Sequence, residues 1–176
     1  TQWPSSAASD VYKRQVDPID GTTNFLNGVP HFCISIALLF EKEIIAGVIY
    51  DPIKDELFYA EKNGGSYLNN KSIRVSKKNN ISDCLYGVNF RKNLPENLII
   101  RNTGSAALDL AYVSCGRFDV CLEKNVNLWD IAAGTVLIKE AGGVVDNFEF
   151  KEFNKISIKA SNERISGALN KKINIF

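Results

Sequence analysis

CISIALLF (Cys33–Phe40), the polar Glu41-Lys42-Glu43 and IIAGVIY (Ile44–Tyr50) read as two strands joined by a short loop. The segments around this hairpin continue its rhythm. Asp51-Pro52-Ile53-Lys54 places proline where a type I turn favours it, and ELFYAE (Glu56–Glu61) follows as a third strand. Asn63-Gly64-Gly65 marks another turn. Short strand-like runs at Ile73 to Ser76 and Cys84 to Phe90 complete an expected antiparallel β layer in the first half of the chain.

The second half changes period. In SAALDLAYVSCG, Leu108, Ala111, Tyr112 and Cys115 recur at i, i+3, i+4 and i+7, which predicts a helix with Ser105 at its start and Gly116 at its end. RFDVCLE (Arg117–Glu123) reads as a strand. WDIAAGTVLIKEAGG then places Ala133, Val136, Leu137 and Ala141 at helical spacing, so a second helix is expected from Asp130 to the stop at Gly142-Gly143. GVVDNF (Gly143–Phe148) and ISIKAS (Ile156–Ser161) are strand-like, and a last helix is expected from about Asn162. Strands alternating with helices after a β layer imply a layered α/β or α+β sandwich.

Bulk properties narrow the function classes. The chain has 176 residues, 45% of them hydrophobic, with 21 basic against 20 acidic side chains. That balance leaves no basic footprint for nucleic acid, so the expected partner is a small molecule. The run Cys33–Phe40 is too short to cross a bilayer. Cys33, Cys84, Cys115 and Cys121 are scattered without a C-x-x-C pair, which fits neither a zinc site nor a disulfide framework and suggests the reducing cytoplasm. Residues 1–15 (TQWPSSAASDVYKRQ) differ in texture from the rest, and there is no methionine. They are expected to be a stub of foreign origin preceding one domain over residues 16–176.

The sharpest chemical feature is Val16-Asp17-Pro18-Ile19-Asp20-Gly21-Thr22-Thr23-Asn24-Phe25. Two carboxylates three positions apart, constrained by proline, can converge on one side of a turn. Converged like charges must be spread, protonated or neutralised, and a hard divalent ion such as Mg2+ suits carboxylate and carbonyl oxygens. Gly21-Thr22-Thr23 then offers close backbone approach and free N–H groups to an anion. The other reading is plain turn chemistry, as at Asp51-Pro52-Ile53-Lys54. Asp130 has two readings as well, a helix-capping acid or a further ligand. His31 reads as a packed loop residue, Tyr112 and Phe118 as core, and Lys77-Lys78 as a solvated turn.

VDPIDGTTNF, YDPIKDELFYAEKNGGSYLNN, RNTGSAALDLAYVSCGRFDVCLE and WDIAAGTVLIKEAGG, in that order, resemble the inositol monophosphatase family. The resemblance spans Val16 to the C-terminus and implies an α-β-α-β-α sandwich of the sugar-phosphatase type with its N-terminal part missing. It also implies Mg2+ as cofactor. Asp17 would bridge two ions, the Ile19 carbonyl would bind one, and Asp20 and Asp130 the other. Gly21 and Thr22 would hold phosphate, with Thr22 orienting the attacking water. Gly104, Ser105, Ala106 and Glu123 match substrate-contacting positions.

The implied activity is hydrolysis of inositol 1-phosphate or a related sugar or polyol phosphate. Histidinol phosphate and fructose 1,6-bisphosphate are alternative substrates, and a homodimer is implied. The family's upstream glutamates have no counterpart in residues 16–176, and the stretch Phe90 to Arg101 is shorter than the helix usual there. The glycine-rich turn that usually follows the strand at Val144 to Asp146 also lacks a clear counterpart. A catalytically defective fragment, or a module with a partial metal site, is therefore the competing expectation.

Overall fold

Along Cys33–Phe40 buried and partly exposed residues alternate, which puts Cys33, Ser35, Ala37 and Leu39 on one face of a strand. This strand is β2 in a computed structural model that describes residues 12–146 and 155–173. It lies in a six-stranded antiparallel sheet with β1 (Tyr12–Asp20), β3 (Glu43–Asp51), β4 (Glu56–Glu61), β5 (Gly65–Leu68) and β6 (Lys71–Ser72), in chain order. A second sheet has the order β10-β11-β9-β7-β8, from β7 (Leu85–Val88), β8 (Ile99–Arg101), β9 (Val120–Val126), β10 (Gly143–Asp146) and β11 (Ile156–Asn162). Helices α2 (Ala106–Ser114) and α3 (Leu128–Glu140) lie between the sheets, and α4 (Glu163–Lys172) covers the outer face of the second. The result is the expected α+β sandwich.

Being enclosed between sheets explains why α2 is buried at every position from Ala107 to Ser114. Glycine lets α3 approach its neighbours. A Cβ on Gly47 of β3 would lie 2.7 Å from Val136 Cγ1, and one on Gly134 would overlap the Leu110 side chain of α2. On the far side, Ile165 and Leu169 of α4 pack with Tyr86, Val88, Val120 and Leu122. Lys159 fastens that helix by donating to Asn170 Oδ1 at 3.1 Å and to the Ile173 carbonyl at 2.5 Å. Among the described residues no long helix packs on the outer face of the six-stranded sheet. Val16, Ile34, Ile36, Val48 and Leu57 there are 36–48% exposed.

Several boundaries differ from the sequence reading. β1 begins at Tyr12, so Tyr12–Gln15 pair with Ala37–Phe40 although their texture set them apart. Ile73 to Ser76 is not a strand. It alternates like one because Ile73 and Val75 pack on the core while the chain crosses from β6 to the end of α3, through Ile73 N–H to Ser66 and Val75 N–H to Ala141. β7 leaves the antiparallel layer and runs parallel to β8 and β9. Helix α3 starts at Leu128, two residues before Asp130.

The lysine pair is not merely a solvated turn, because Lys78 Nζ donates to Asp119 Oδ2 at 2.7 Å and to the Asp83 carbonyl at 2.8 Å. Residues 91–98 run through turns without a helix. The site of the expected glycine-rich turn after Asp146 lies outside the described residues. No described helix is long and apolar enough to cross a membrane.

Overpacking a close helix contact costs about 1–3 kcal/mol. Gly134→Ala is expected to lose that much stability in urea denaturation, whereas an unchanged midpoint would contradict the close approach of α2 and α3.

Candidate active site

Asp17 and Asp20 are an odd number of positions apart, so a regular strand would point them to opposite faces. β1 is irregular between them. Asp17 pairs with Ser35 and Asp20 with Cys33, so three steps on β1 match two on β2. The extra residue falls at Pro18-Ile19, where proline has no N–H for the ladder. Asp17 and Asp20 thereby share the face on which Ser35 and Cys33 are buried. The bulge does what the turn reading only allowed.

Gly21 follows in the left-handed region, at φ 89°, and a Cβ on it would press to 3.0 Å from the His31 carbonyl. Its conformation sends the chain into the five-residue α1 (Thr22–Leu26). Thr22 Oγ1 donates to the Ile19 carbonyl at 2.8 Å. Asn24 Nδ2 donates to the His31 and Thr103 carbonyls at 2.7 and 2.8 Å, clamping α1 to the loop before α2. His31 is a packed loop residue, edge-on to Tyr112.

Each acid has one oxygen held by the fold. Asp20 Oδ2 accepts from Ser105 Oγ and from the Ala107 N–H at the start of α2, the latter at 2.9 Å. Asp17 Oδ1 accepts from the Ile19 N–H at 3.0 Å. Asp130 Oδ2 accepts from the Asn127 N–H at 2.7 Å, the capping arrangement that fixes the entry of α3. Ser35 Oγ also ties β2 to the Trp129 carbonyl at 3.3 Å. Asp130 is therefore a capping acid and is also brought to the other two. Oxygens of Asp17, Asp20 and Asp130 lie within 4.8 Å of one another.

A cavity of about 200 Å³ opens beside this trio, lined by Asp20, Gly104, Ser105, Ala106, Asp109, Glu123 and Asp130, with Val88, Asn89 and Val126. The predicted substrate-contacting residues are thus gathered around it. Ser105 is already engaged, because its hydroxyl positions Asp20. A larger surface cleft of about 400 Å³ lies between the β2–β3 turn and the end of α3, away from the clustered acids.

Like charges and burial act together. Burial, helped by the charges of Asp17 and Asp130, pushes Asp20 up to about 6 against the hydrogen bonds of Ser105 and Ala107. Burial likewise raises Asp130. Glu123 is pushed well above the ordinary carboxyl range, first by burial and then by Asp109 and Asp20. Three crowded carboxylate oxygens form a donor set that suits a hard divalent cation. Ile19, whose carbonyl accepts from Thr22 Oγ1, stands between Asp17 and Asp20 in the chain.

A model of the inositol monophosphatase family matches residues 6–174. The chain belongs to that family. The "Inositol-1-monophosphatase" of Rhizobium meliloti is 43% identical over 175 residues, covering 90% of this chain and 66% of the relative. A Thermotoga maritima protein named "Fructose-1,6-bisphosphatase/inositol-1-monophosphatase" is 42% identical over 151 residues, covering 81% of this chain and 59% of the relative. The crystal structure of the extragenic suppressor protein suhB from Bartonella henselae has a TM-score of 0.86 and 43% identity, covering 93% of this chain and 73% of that one. The chain spans 66% and 59% of the length of the two curated relatives. The family match begins at residue 6, within the fifteen residues set apart by texture.

Sequence reasoning passed over Asp109, Asn89 and Asn127. Asp109 had a signal, being the only charge in AALDLAYV, but helical periodicity counted apolar residues and ignored it. Asn127 had a signal too, an N-cap asparagine three positions before an acid, whereas Asn89 carries none.

Asp109 is pushed up to about 7 by burial, against a hydrogen bond from Thr103 and with the charge of Asp20 adding to the rise. A carboxyl with a raised folded-state pKa keeps a proton that the unfolded chain has released. Metal-free protein should therefore lose stability as pH rises from about 4 to about 7, by at most about 4 kcal/mol from this group. Denaturation at stepped pH checks it. Asp109→Asn is expected to flatten the slope, and an unaltered slope would contradict the assignment.

Proposed function

We propose that the chain carries the catalytic portion of a Mg2+-dependent phosphomonoesterase acting on inositol 1-phosphate or a related sugar or polyol phosphate. The observation that carries this reading is the convergence of Asp17, Asp20 and Asp130, from two distant parts of a family member's sequence, on one space beside an acid-lined cavity.

In this reading Asp17, Asp20, Asp130 and the Ile19 carbonyl hold the ions. The metal supplies charge stabilisation and an acidified water when bound. Free N–H groups at Gly21 and Thr22 receive the phosphate. Thr22 Oγ1 spends its proton on the Ile19 carbonyl, so its lone pairs accept from the attacking water and orient it. Glu123, whose neutral form burial favours, donates to a substrate hydroxyl oxygen. Ser105 acts through Asp20, while Gly104 and Ala106 line the polyol side of the cavity.

The four free cysteines agree with a cytoplasmic setting, and we retain the homodimer implied by family resemblance. In this reading the phosphatase domain takes in Tyr12–Gln15, which pair in its six-stranded sheet, as well as residues 16–176. Fructose 1,6-bisphosphate is a second candidate substrate, favoured by the name of the Thermotoga relative.

Phosphate release from inositol 1-phosphate and from fructose 1,6-bisphosphate tests the proposal on a polypeptide of the relatives' length that carries these residues. Activity should require Mg2+ and vanish with a chelator. Asp130→Asn should lower kcat by about 100-fold or more, a loss near 3 kcal/mol of transition-state stabilisation, with folding retained. Near-normal turnover would reject the assignment. Thr22→Val should lower kcat more than it raises KM, because an oriented water matters only as reaction proceeds.

A further inference from the structure

Behind the cavity, Asp109 of α2 faces Cys121 and Glu123 of β9. One oxygen of each carboxylate and the thiol sulfur lie within 4.8 Å of one another. Cys121 and Glu123 are two residues apart on one strand and so project from the same face. Gly87 on the neighbouring strand pairs with Cys121 and makes room. A Cβ there would lie 2.8 Å from Asp109 Oδ2.

The three groups are 0–2% exposed. Asp109 Oδ1 accepts from Thr103 Oγ1 at 2.7 Å, and the Cys121 thiol reaches Glu123 Oε1 at 3.7 Å. Glu123 Oε2 is buried without a hydrogen-bond partner. An unsatisfied buried carboxyl oxygen costs about 1–3 kcal/mol or more. The charges that act most strongly on Glu123 are those of Asp109, Asp20 and Asp130, all acidic. The strongest charges at Cys121, those of Glu123, Asp109 and Asp20, and the Asp20 charge at Asp109 are acidic as well.

We propose that Asp109, Cys121 and Glu123 form a binding site for a thiophilic divalent cation of the zinc class, separate from the Asp17–Asp20–Asp130 cluster. A thiolate with two carboxylates is a zinc-type donor set with one position left for water, whereas Mg2+ avoids sulfur. Asp109 and Glu123 also line the cavity, which gives the ion an entry path. Binding releases to solvent the thiol proton of Cys121 and whatever protons the Glu123 and Asp109 carboxyls carry, and gives Glu123 Oε2 the partner it lacks. If Glu123 contacts substrate as read above, the ion withdraws it and inhibits hydrolysis; the site itself does not depend on that reading.

Cobalt titration of the whole chain with Mg2+ in excess tests the site directly, because cobalt bound to thiolate shows a near-ultraviolet charge-transfer band. The band should saturate at one cobalt per chain and be displaced by Zn2+. It should disappear in Cys121→Ser and persist in Cys33→Ser, which separates it from the thiol beside Asp20. Asp109→Asn leaves the sulfur in place and should weaken cobalt binding by about tenfold or more. Absence of the band, its loss only in Cys33→Ser, or unchanged affinity in Asp109→Asn would overturn the proposal. Since none of these readouts uses turnover, an inactive protein that binds cobalt would count against the phosphatase reading alone.

Discussion

Mutual repulsion among Asp17, Asp20 and Asp130 is the constraint around which this structure is arranged. At about 4 Å and an effective dielectric near 20, two unit charges repel by about 4 kcal/mol. The fold holds three such groups together with specific devices. A proline-centred bulge turns two acids to one face, the start of α2 anchors one of them, and a cap at Asn127 anchors the third. Each device is local, yet each depends on packing elsewhere.

That packing is the helix pair between two sheets. α3 can bring Asp130 to β1 only because Gly47 and Gly134 let it settle closely on β3 and α2. The family's Trp-Asp-x-Ala-Ala-Gly pattern thus combines a ligand candidate with the small residues needed to place it. Acid and glycine are two parts of one geometric requirement. The same enclosure lowers the local dielectric, which is why burial dominates the shifts at Asp20, Asp109 and Glu123.

Much of the architecture was legible in the residues. Strand-like runs separated by polar loops and turns located β2, β3 and β4, and the apolar spacing of Leu108, Ala111, Tyr112 and Cys115 located α2 with its Ser105 cap. Sheet membership was not legible. β7 has the same texture as the strands before it, and its parallel partners lie far along the chain, so no local pattern marks the change of sheet. Ile73 to Ser76 misled because alternation reports burial on one side, which a packed connector achieves without a ladder. For the candidate site, Asp17, Asp20 and Asp130 were readable as acids at turns and helix starts, but their meeting was not. Ser105, read as a substrate-contacting position, also has its hydroxyl on Asp20, a contact that no local pattern announces.

The most direct test of the central claim is equilibrium binding of Mn2+, a spectroscopically visible stand-in for Mg2+, followed by the loss of its free-ion electron paramagnetic resonance signal. The chain should bind Mn2+ in competition with Mg2+, and Asp17→Asn should abolish that binding while the protein stays folded. Undiminished binding in the folded Asp17→Asn protein would contradict the account.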